Sequence, residues 1–531
     1  MSLVDEMIKG YGPKFPTLED LFLKVPDEAE RLRLESPIPG LGRYLKNAIF
    51  LHDITSGRAV GTLRFRVAAE YFIALSEELR SYQGIFSHRK VIPGLTEEET
   101  NGIRNLGNTA EDVFRAEFME KFTEHDTAAA TDYLKILIAR MFPRLESHID
   151  GVHFANTSEM VMGNVFGIIG NRLVYGHFIP ALLEFCDDLL KYINLYETFR
   201  KPLILGDFTH QQAAEPGTLG KKVVTVLYAI NSLTRELRDG HGFKRFTGNF
   251  GGATGNLTCH YAAYPDIDWQ RFAESYVGSF GLHYDRMQNQ SVSYVREAQI
   301  FSTIANILEQ VIKFTADFVS LASCPSQFFV KEKKKGGKGS SLMPGKSNAW
   351  GMEGGISMLE EAISNLHLLA KQLPKYPHQG DMKRSYLFRN IGGYFMPIFI
   401  AFSRIRTELK NYHPNQRKIG AFFREYPGMA GSSLQTVLKR MGISGDAYRT
   451  IQEIAINPDG SYANAEEFRQ GLDAAMENLS LPEEQMEELD ALLEPKNLVA
   501  PVHKLVRQEM QLLRRDYRKY RRELSRIIPA T

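Results

Sequence analysis

The chain is patterned in helical stripes. Val223, Val226, Leu227, Ile230, Leu233 and Leu237 recur at three- and four-residue spacing, as do Ile300, Ile304, Ile307, Leu308, Val311 and Ile312. Ile356, Leu359, Ile363, Leu366 and Leu369 make a third stripe. Residues three and four apart share one face of a helix, so each stripe predicts an amphipathic helix with an apolar side. Several such helices, separated by glycine-rich punctuation, predict a helical bundle and a mostly α fold class. Strand and helix units alternating at the rhythm of a parallel sheet are not seen. Pro180 and Pro397 fall inside apolar, helix-like stretches and are expected to kink or break them. The glycine-rich residues 246–260 read as an irregular loop between helices, since no apolar strand precedes them to build a dinucleotide turn.

Changes in this pattern divide the chain into three parts. Residues 1–150 mix short helices with Pro/Gly turns, 151–412 carry the bundle, and 413–531 are helical and charge-rich. The last helix, expected over 508–528, contains RRDYRKYRREL. Leu512, Leu513, Tyr517, Tyr520 and Leu524 are expected to face inward, with the basic residues solvated; an RNA-contacting face is the sharper alternative. A net charge of +1 over 531 residues gives no global field for nucleic acid or an acidic membrane, and neither is expected as a partner. Cys186, Cys259 and Cys324 form no CxxC pair, zinc pattern or disulfide framework, which suits a cytoplasmic location. The first residues lack the apolar core of a signal peptide, and the apolar run 394–402 is too short to span a bilayer. A soluble intracellular protein is therefore expected.

The most specific chemistry lies at 339–348, GSSLMPGKSN, behind the lysine- and glycine-rich lead KEKKKGGKG. A hydrogen on carbon beside a carboxylate is hardly acidic, and its removal places a second negative charge on that carboxylate. Fixed donors at the developing charge are the largest help an enzyme can give. Lys346 supplies full charge and Asn348 an amide donor, and the helix expected after Trp350 adds the partial charge of its N-terminus. Ser340 is a base only where such donors and exclusion of water stabilise its alkoxide. Gly336, Gly337 and Gly339 give the loop freedom to open and close. A departing amine needs a proton, and His210 in GDFTHQQAAEPGTLGK (206–221) is a suitable donor near neutral pH. In VHFANTSE (152–159), Thr157 and Ser158 read equally as a helix N-cap with its following acid and as a carboxylate clamp.

GSSLMPGKSN resembles the signature loop of the fumarase/aspartase superfamily. Residues 206–221 resemble the Thr-His-Gly-Gln-Pro-Ala-Thr-Pro motif of the adenylosuccinate lyase family within it, and 152–159 resemble that family's Thr-Ser-Glu motif. GGATGNLTCHYAAYPDIDW (251–269), KQLPKYPHQGDMKRSYLFRNIGG (371–393) and SLQTVLKRMGI (433–443) are similar to further segments of the bacterial, enterobacterial-type members. The resemblance runs from about residue 36 to the end. It implies a three-domain, mostly α fold in which long helices from four subunits form a tetrameric core, with each active site built from three chains. It also implies elimination of fumarate from adenylosuccinate, giving AMP, and from the matching imidazole-carboxamide intermediate, with no metal or organic cofactor. By motif, Ser340 would be the base and His210 the acid. Thr157, Ser158, Thr209, Ser341, Lys346 and Asn348 would hold the succinyl part, and Gln290 would contact the substrate. Arg43 and Tyr44 would bind phosphate, and Ser385 and Arg389 would complete the nucleotide site.

The chain departs from the family at defined positions. Gln-Arg-Asp becomes Gln379-Gly380-Asp381, removing a substrate-binding arginine whose charged fork glycine cannot replace. Lys383 and Arg384 are the cations that follow. Asn-His-Asp-Val becomes the segment Ala110-Glu111-Asp112-Val113 after Thr109, Met160 follows Thr-Ser-Glu in place of an acid, and Ala349 replaces a proline. The elimination machinery is retained, so the departures bear on the leaving group. They motivate two alternatives: the same elimination on another N-succinyl compound, and a non-catalytic helical scaffold or RNA-binding relative.

Overall fold

A computed structural model describes residues 43–197, 201–240, 242–332, 339–442 and 445–527. The lead residues 333–338, with Gly336 and Gly337, lie outside the described residues. The architecture is mostly helical, and strands form only two-stranded pairs among the described residues.

The N-terminal layer contains α1 (Gly57–Ser81), α2 (Ala110–Thr123) and α3 (Asp126–Met141). Each begins where a polar side chain accepts from a free backbone N–H: Ser56 from Ala59, Thr109 from Asp112, His125 from Ala128. The segment that departs from Asn-His-Asp-Val is thus the capped start of α2. Asp112 accepts from the Tyr133 hydroxyl at 3.0 Å, and Glu111 is exposed.

α4 (Ser158–Asn171) passes through a wide π turn at Arg172–Phe178 into α5 (Ile179–Tyr196), so the irregularity expected from Pro180 appears just upstream of it. By length and composition alone, the continuous helix Ser158–Tyr196 is long and apolar enough to cross a bilayer, and 72% of its most apolar 18-residue window is buried inside the protein. Next come β1 (Ile204–Thr209), β2 (Gln212–Thr218) and α6 (Leu219–Glu236), followed after the 246–294 region by α7 (Val295–Ala322). β3 (Phe329–Lys331), α8 (Trp350–Gln372), the short α9 (Lys383–Arg389), α10 (Ile391–Leu409) and β4 (Tyr412–Pro414) complete the bundle. The three predicted stripes are the buried faces of α6, α7 and α8, with Leu233, Ile312 and Ile356 at their half-buried edges. α10 runs through Pro397 as one helix, so of the expected kink or break the break does not occur; buried Phe395, Ile398 and Phe399 pack it on both sides of the proline. Each fully buried Phe, Leu or Ile stabilises by roughly 1.5–3 kcal/mol, enough to hold a helix against one lost hydrogen bond.

The hydrogen bonds at the two ends of α7 fix its relation to α8. Beyond its C-terminus, Phe328 N donates to Leu321 O, and Lys331 Nζ reaches Asn348 O at 3.2 Å, beside the start of α8. Before its N-terminus, Ser291 N donates to Gln379 O at 3.1 Å and the Tyr376 hydroxyl to Val292 O at 3.1 Å, just past the end of α8. α8 therefore returns antiparallel along α7. The 28 residues of α7 separate these two ends by about 42 Å at 1.5 Å per residue.

One apolar core runs from Ala48 to Leu524. α11 (Gln416–Glu425) contributes Ile419 to this core, and a second, separate cluster fills α12 to α15 (Gly431–Arg440, Ala447–Ala455, Ala465–Asn478, Glu483–Leu492) from Ala430 to Leu489. α16 (Pro495–Ile527) then returns to the bundle and packs along α6 and α5. Its Leu513, Tyr517, Tyr520 and Leu524 are buried, whereas Leu512 is 40% exposed, a correction to the expected inward set. Adjacent helix residues point about 100° apart, so only one of the two leucines can join the stripe.

Candidate active site

At the α4 end of the bundle, Thr157 stands at the N-cap of α4, but its side chain makes no cap bond. Its Oγ1 is buried without a partner. The cap position is therefore confirmed, while the hydroxyl is left over for another acceptor or donor. Ser158 opens the helix, and Glu159 in its first turn accepts from Arg384 Nη2 at 2.9 Å. Burial pushes the Glu159 carboxyl up, against the pull of Arg384. Gln290 enters from the loop before α7: its Nε2 donates to Ala253 O at 3.0 Å, and its own carbonyl accepts from Asn249 Nδ2 at 2.7 Å. Ser385 follows Arg384 on α9 and is half-buried. The structure thus brings Thr157, Ser158, Gln290 and Ser385 to one end of the bundle.

The signature loop lies at the other end, some 40 Å away along α7. Gly339 lies against its opposite limb, where a Cβ would meet Lys346 O at 2.3 Å, so no other residue fits without moving that limb. Ser340 Oγ accepts from Met343 N at 3.1 Å, and Lys346 N donates to Met343 O at 3.1 Å. An N–H aimed at the serine oxygen favours its anionic form, the form a base requires. Ser341 and Lys346 are exposed, and Asn348 is half-buried. The loop base is clasped by Lys331, which pairs with Glu408, bonds Asn348 O and lies 5.5 Å from the centre of the Trp350 ring. Lys331 and Glu408 side chains are only 15% and 7% exposed. Lys331→Met is expected to destabilise the protein by about 3 kcal/mol by stranding Glu408. Adding Glu408→Leu should restore most of that stability but not turnover, because Asn348 has still lost its anchor. Urea unfolding beside kcat measurements separates the two effects.

His210 sits at the tip of the β1–β2 hairpin. Thr209 pairs with Gln212, leaving His210 and Gln211 as a two-residue turn with φ of 51° and 63°. Two left-handed residues make a type I′ turn, the form that matches strand twist and favours glycine at its second position. Thr209, His210 and Gln211 are exposed. The hairpin leans on the loop end of the bundle through Phe208, whose ring lies 6.2 Å from Phe328 and 5.5 Å from Phe422. Its tip also meets the C-terminal part, where the Tyr462 hydroxyl donates to Gln212 Oε1 at 3.0 Å. Gln211→Gly is expected to stabilise the chain by about 1 kcal/mol with activity retained, read as a rise in Tm.

The remaining candidates fall on either side. Tyr44 is also at the loop end: its hydroxyl accepts from Arg404 Nη1 at 2.6 Å, and Arg404 in turn lies over the Trp350 ring. Arg43 is exposed beside the Tyr44 ring. Arg389, at the α4 end, bonds Asp126 at 2.6 Å, a carboxylate shared with Arg64. Burial alone would raise Asp126, but these two arginines outweigh it and hold the carboxyl below its ordinary value. The sequence reading overlooked Lys331, Arg404, Ser291 and Asp126. Only Lys331 carried a signal, as a cation closing the apolar run Phe328-Phe329-Val330.

The candidates therefore form two half-sites in one chain, a clamp of hydroxyls and a helix N-terminus at one end and a base loop with an imidazole hairpin at the other. A family model described as Lyase matches residues 91–363, which include Thr157, Ser158, His210, Gln290 and the signature loop. The chain belongs to this lyase family. Curated relatives named adenylosuccinate lyase cover most of it. That of Escherichia coli K12 is 27% identical over 474 residues, 89% of this chain and 97% of the relative. That of Haemophilus influenzae is 26% identical, covering 85% and 93%, and that of Dictyostelium discoideum 25%, covering 87% and 96%. Among solved structures, the β-carboxy-cis,cis-muconate cycloisomerase of Acinetobacter calcoaceticus superposes with a TM-score of 0.61 at 13% identity, covering 89% of this chain and all of that one. The fold is that of the fumarase/aspartase superfamily, and the chain is a fumarate-releasing lyase akin to the adenylosuccinate lyases.

Proposed function

We propose that the protein eliminates fumarate from adenylosuccinate, releasing AMP, and from the matching succinyl imidazole-carboxamide intermediate of purine synthesis, in the cytoplasm. Ser340 removes the proton beside the substrate carboxylate. The electron pair left on carbon delocalises onto that carboxylate, against Lys346, Asn348 and the loop N–H groups. Collapse of this dianion expels the nitrogen, carbon–carbon double-bond formation gives fumarate, and His210 delivers a proton to the departing amine. Thr157 and Ser158, at the N-terminus of α4, grip the succinyl carboxylate. Arg43, Tyr44, Gln290, Ser385 and Arg389 hold the nucleotide half, with Thr209 and Ser341 lining the succinyl side.

What carries this reading is the loop itself: a serine already accepting an N–H, with an exposed lysine beside it, on a segment whose base Lys331 clasps. Such a loop can close over a carboxylate brought to it. About 42 Å of α7 separates that loop from the clamp, so one chain does not complete the site. We infer a homotetramer in which the α4 end of one subunit meets the loop end of others. Purified protein mixed with adenylosuccinate should lose the succinyl-purine absorbance and yield fumarate and AMP in equal amounts. Fumarate formed from another N-succinyl amine, with none from adenylosuccinate, would contradict the assigned leaving group.

A further inference from the structure

The clamp end contains an arginine whose bonding is unfinished. The Arg384 side chain is 5% exposed and lies between the rings of Tyr294 and Tyr376, with its guanidinium carbon 5.6 and 5.2 Å from their centres. One of its nitrogens, Nη2, bonds Glu159; Nε and Nη1 are buried and make no hydrogen bond. Asp381 Oδ1 stands 3.9 Å from Nη1, outside hydrogen-bond reach. Thr157 Oγ1, two residues before Glu159 in the chain, is also buried without a hydrogen-bond partner among the described residues. A buried donor without an acceptor costs about 1–3 kcal/mol, so this concentration of open donors at a helix N-terminus marks a place kept for a ligand.

Gly380 explains how the arginine came to be there. A Cβ on Gly380 would lie 2.7 Å from Ser291 Oγ and 3.7 Å from Arg384 Nη1. The space in which a side chain at 380 would begin is filled by the Ser291 hydroxyl and faces the Arg384 guanidinium. A side chain at 380 would begin against the Ser291 hydroxyl and in van der Waals contact with the Arg384 guanidinium.

We propose that Arg384 replaces the arginine missing at position 380 and binds an oxyanion of the substrate through Nη1. The inference rests on the functional reading above and deepens it by naming the residue that holds the charged group. Glu159 holds the guanidinium through Nη2, the tyrosine rings fix it from above and below, and the Nη1 N–H is left for the ligand. The oxyanion belongs either to the nucleotide phosphate or to a succinyl carboxylate. The two sources are separated by the products, since AMP carries only the first and fumarate only the second.

The test is product affinity by calorimetry on the purified full-length protein, with AMP and fumarate titrated separately. Arg384→Gln should weaken one product by about tenfold or more while leaving the other within about twofold. Arg384→Lys should recover part of the loss, because charge persists without the fork. Lys383→Gln, which removes an exposed neighbouring cation, should change neither affinity. Loss of the AMP affinity alone identifies the phosphate, and loss of the fumarate affinity alone the carboxylate. Unchanged affinities, or an equal loss of both, would assign Arg384 to structure and overturn the proposal even if wild-type protein releases fumarate. If wild-type protein neither releases fumarate nor binds either product, the functional reading fails first and takes this proposal with it.

Discussion

Ser340→Ala is expected to lower kcat for fumarate release by about 10²–10⁴-fold, the range for a positioned proton-transfer group, without lowering Tm. The side chain sits on an exposed loop, and among the described residues its one hydrogen bond is to Met343 N within that loop. A surface change of this kind shifts stability by only about 0.5 kcal/mol, so a drop in rate cannot be attributed to unfolding. Lys346 and Asn348 remain in place, so substrate affinity should change far less than kcat; this pattern marks an interaction made in the transition state. His210→Ala should also lose about 10²–10⁴-fold on the natural substrate, but it has a different signature. An analogue whose leaving group departs without protonation should bypass His210 and restore much of the rate. The same analogue should do nothing for Ser340→Ala, because carbon deprotonation still lacks its base. Stopped-flow fumarate release with both substrates and both variants checks the two assignments at once.

The legibility of this chain varied with the kind of interaction. Helices were readable because burial imposes a period: the stripes at Val223, Ile300 and Ile356 became the inner faces of three bundle helices. Local order was readable for the same reason, as in the helix beginning at Trp350. Phase was less so, since Leu512 and Leu513 are equally apolar and only the wider stripe Leu513, Tyr517, Tyr520, Leu524 decides between them. The break expected at Pro397 ignored the packing of Phe395 and Phe399, a tertiary effect. At the site, residue identities were legible and their partners were not. Thr157 was read as cap or clamp, and only its free hydroxyl separates the two. Arg389 was assigned to the nucleotide, and its pairing with Asp126, more than 260 positions away in the chain, had no local sign. Lys383-Arg384 looks like a solvated pair, yet one member is 73% exposed and the other 5%. The missing arginine at Gly380 was the only hint that a neighbouring cation had been drawn inward.

The central claim is that the base loop and the hydroxyl clamp, held apart by α7 within one chain, act on the same substrate molecule across subunits. Two inactive variants test it, Ser340→Ala at the loop end and a Thr157→Val/Ser158→Ala double variant at the clamp end. Each is unfolded, mixed with the other in equal amounts and refolded, and fumarate release is measured against wild-type protein treated alike. If sites draw the loop and the clamp from different chains, random mixing in a closed oligomer leaves about one site in four with both halves intact, and activity should return to about a quarter of wild type. If activity stays at the level of the unmixed variants although mixed oligomers form, loop and clamp belong to the same chain, and the account of a shared site is wrong.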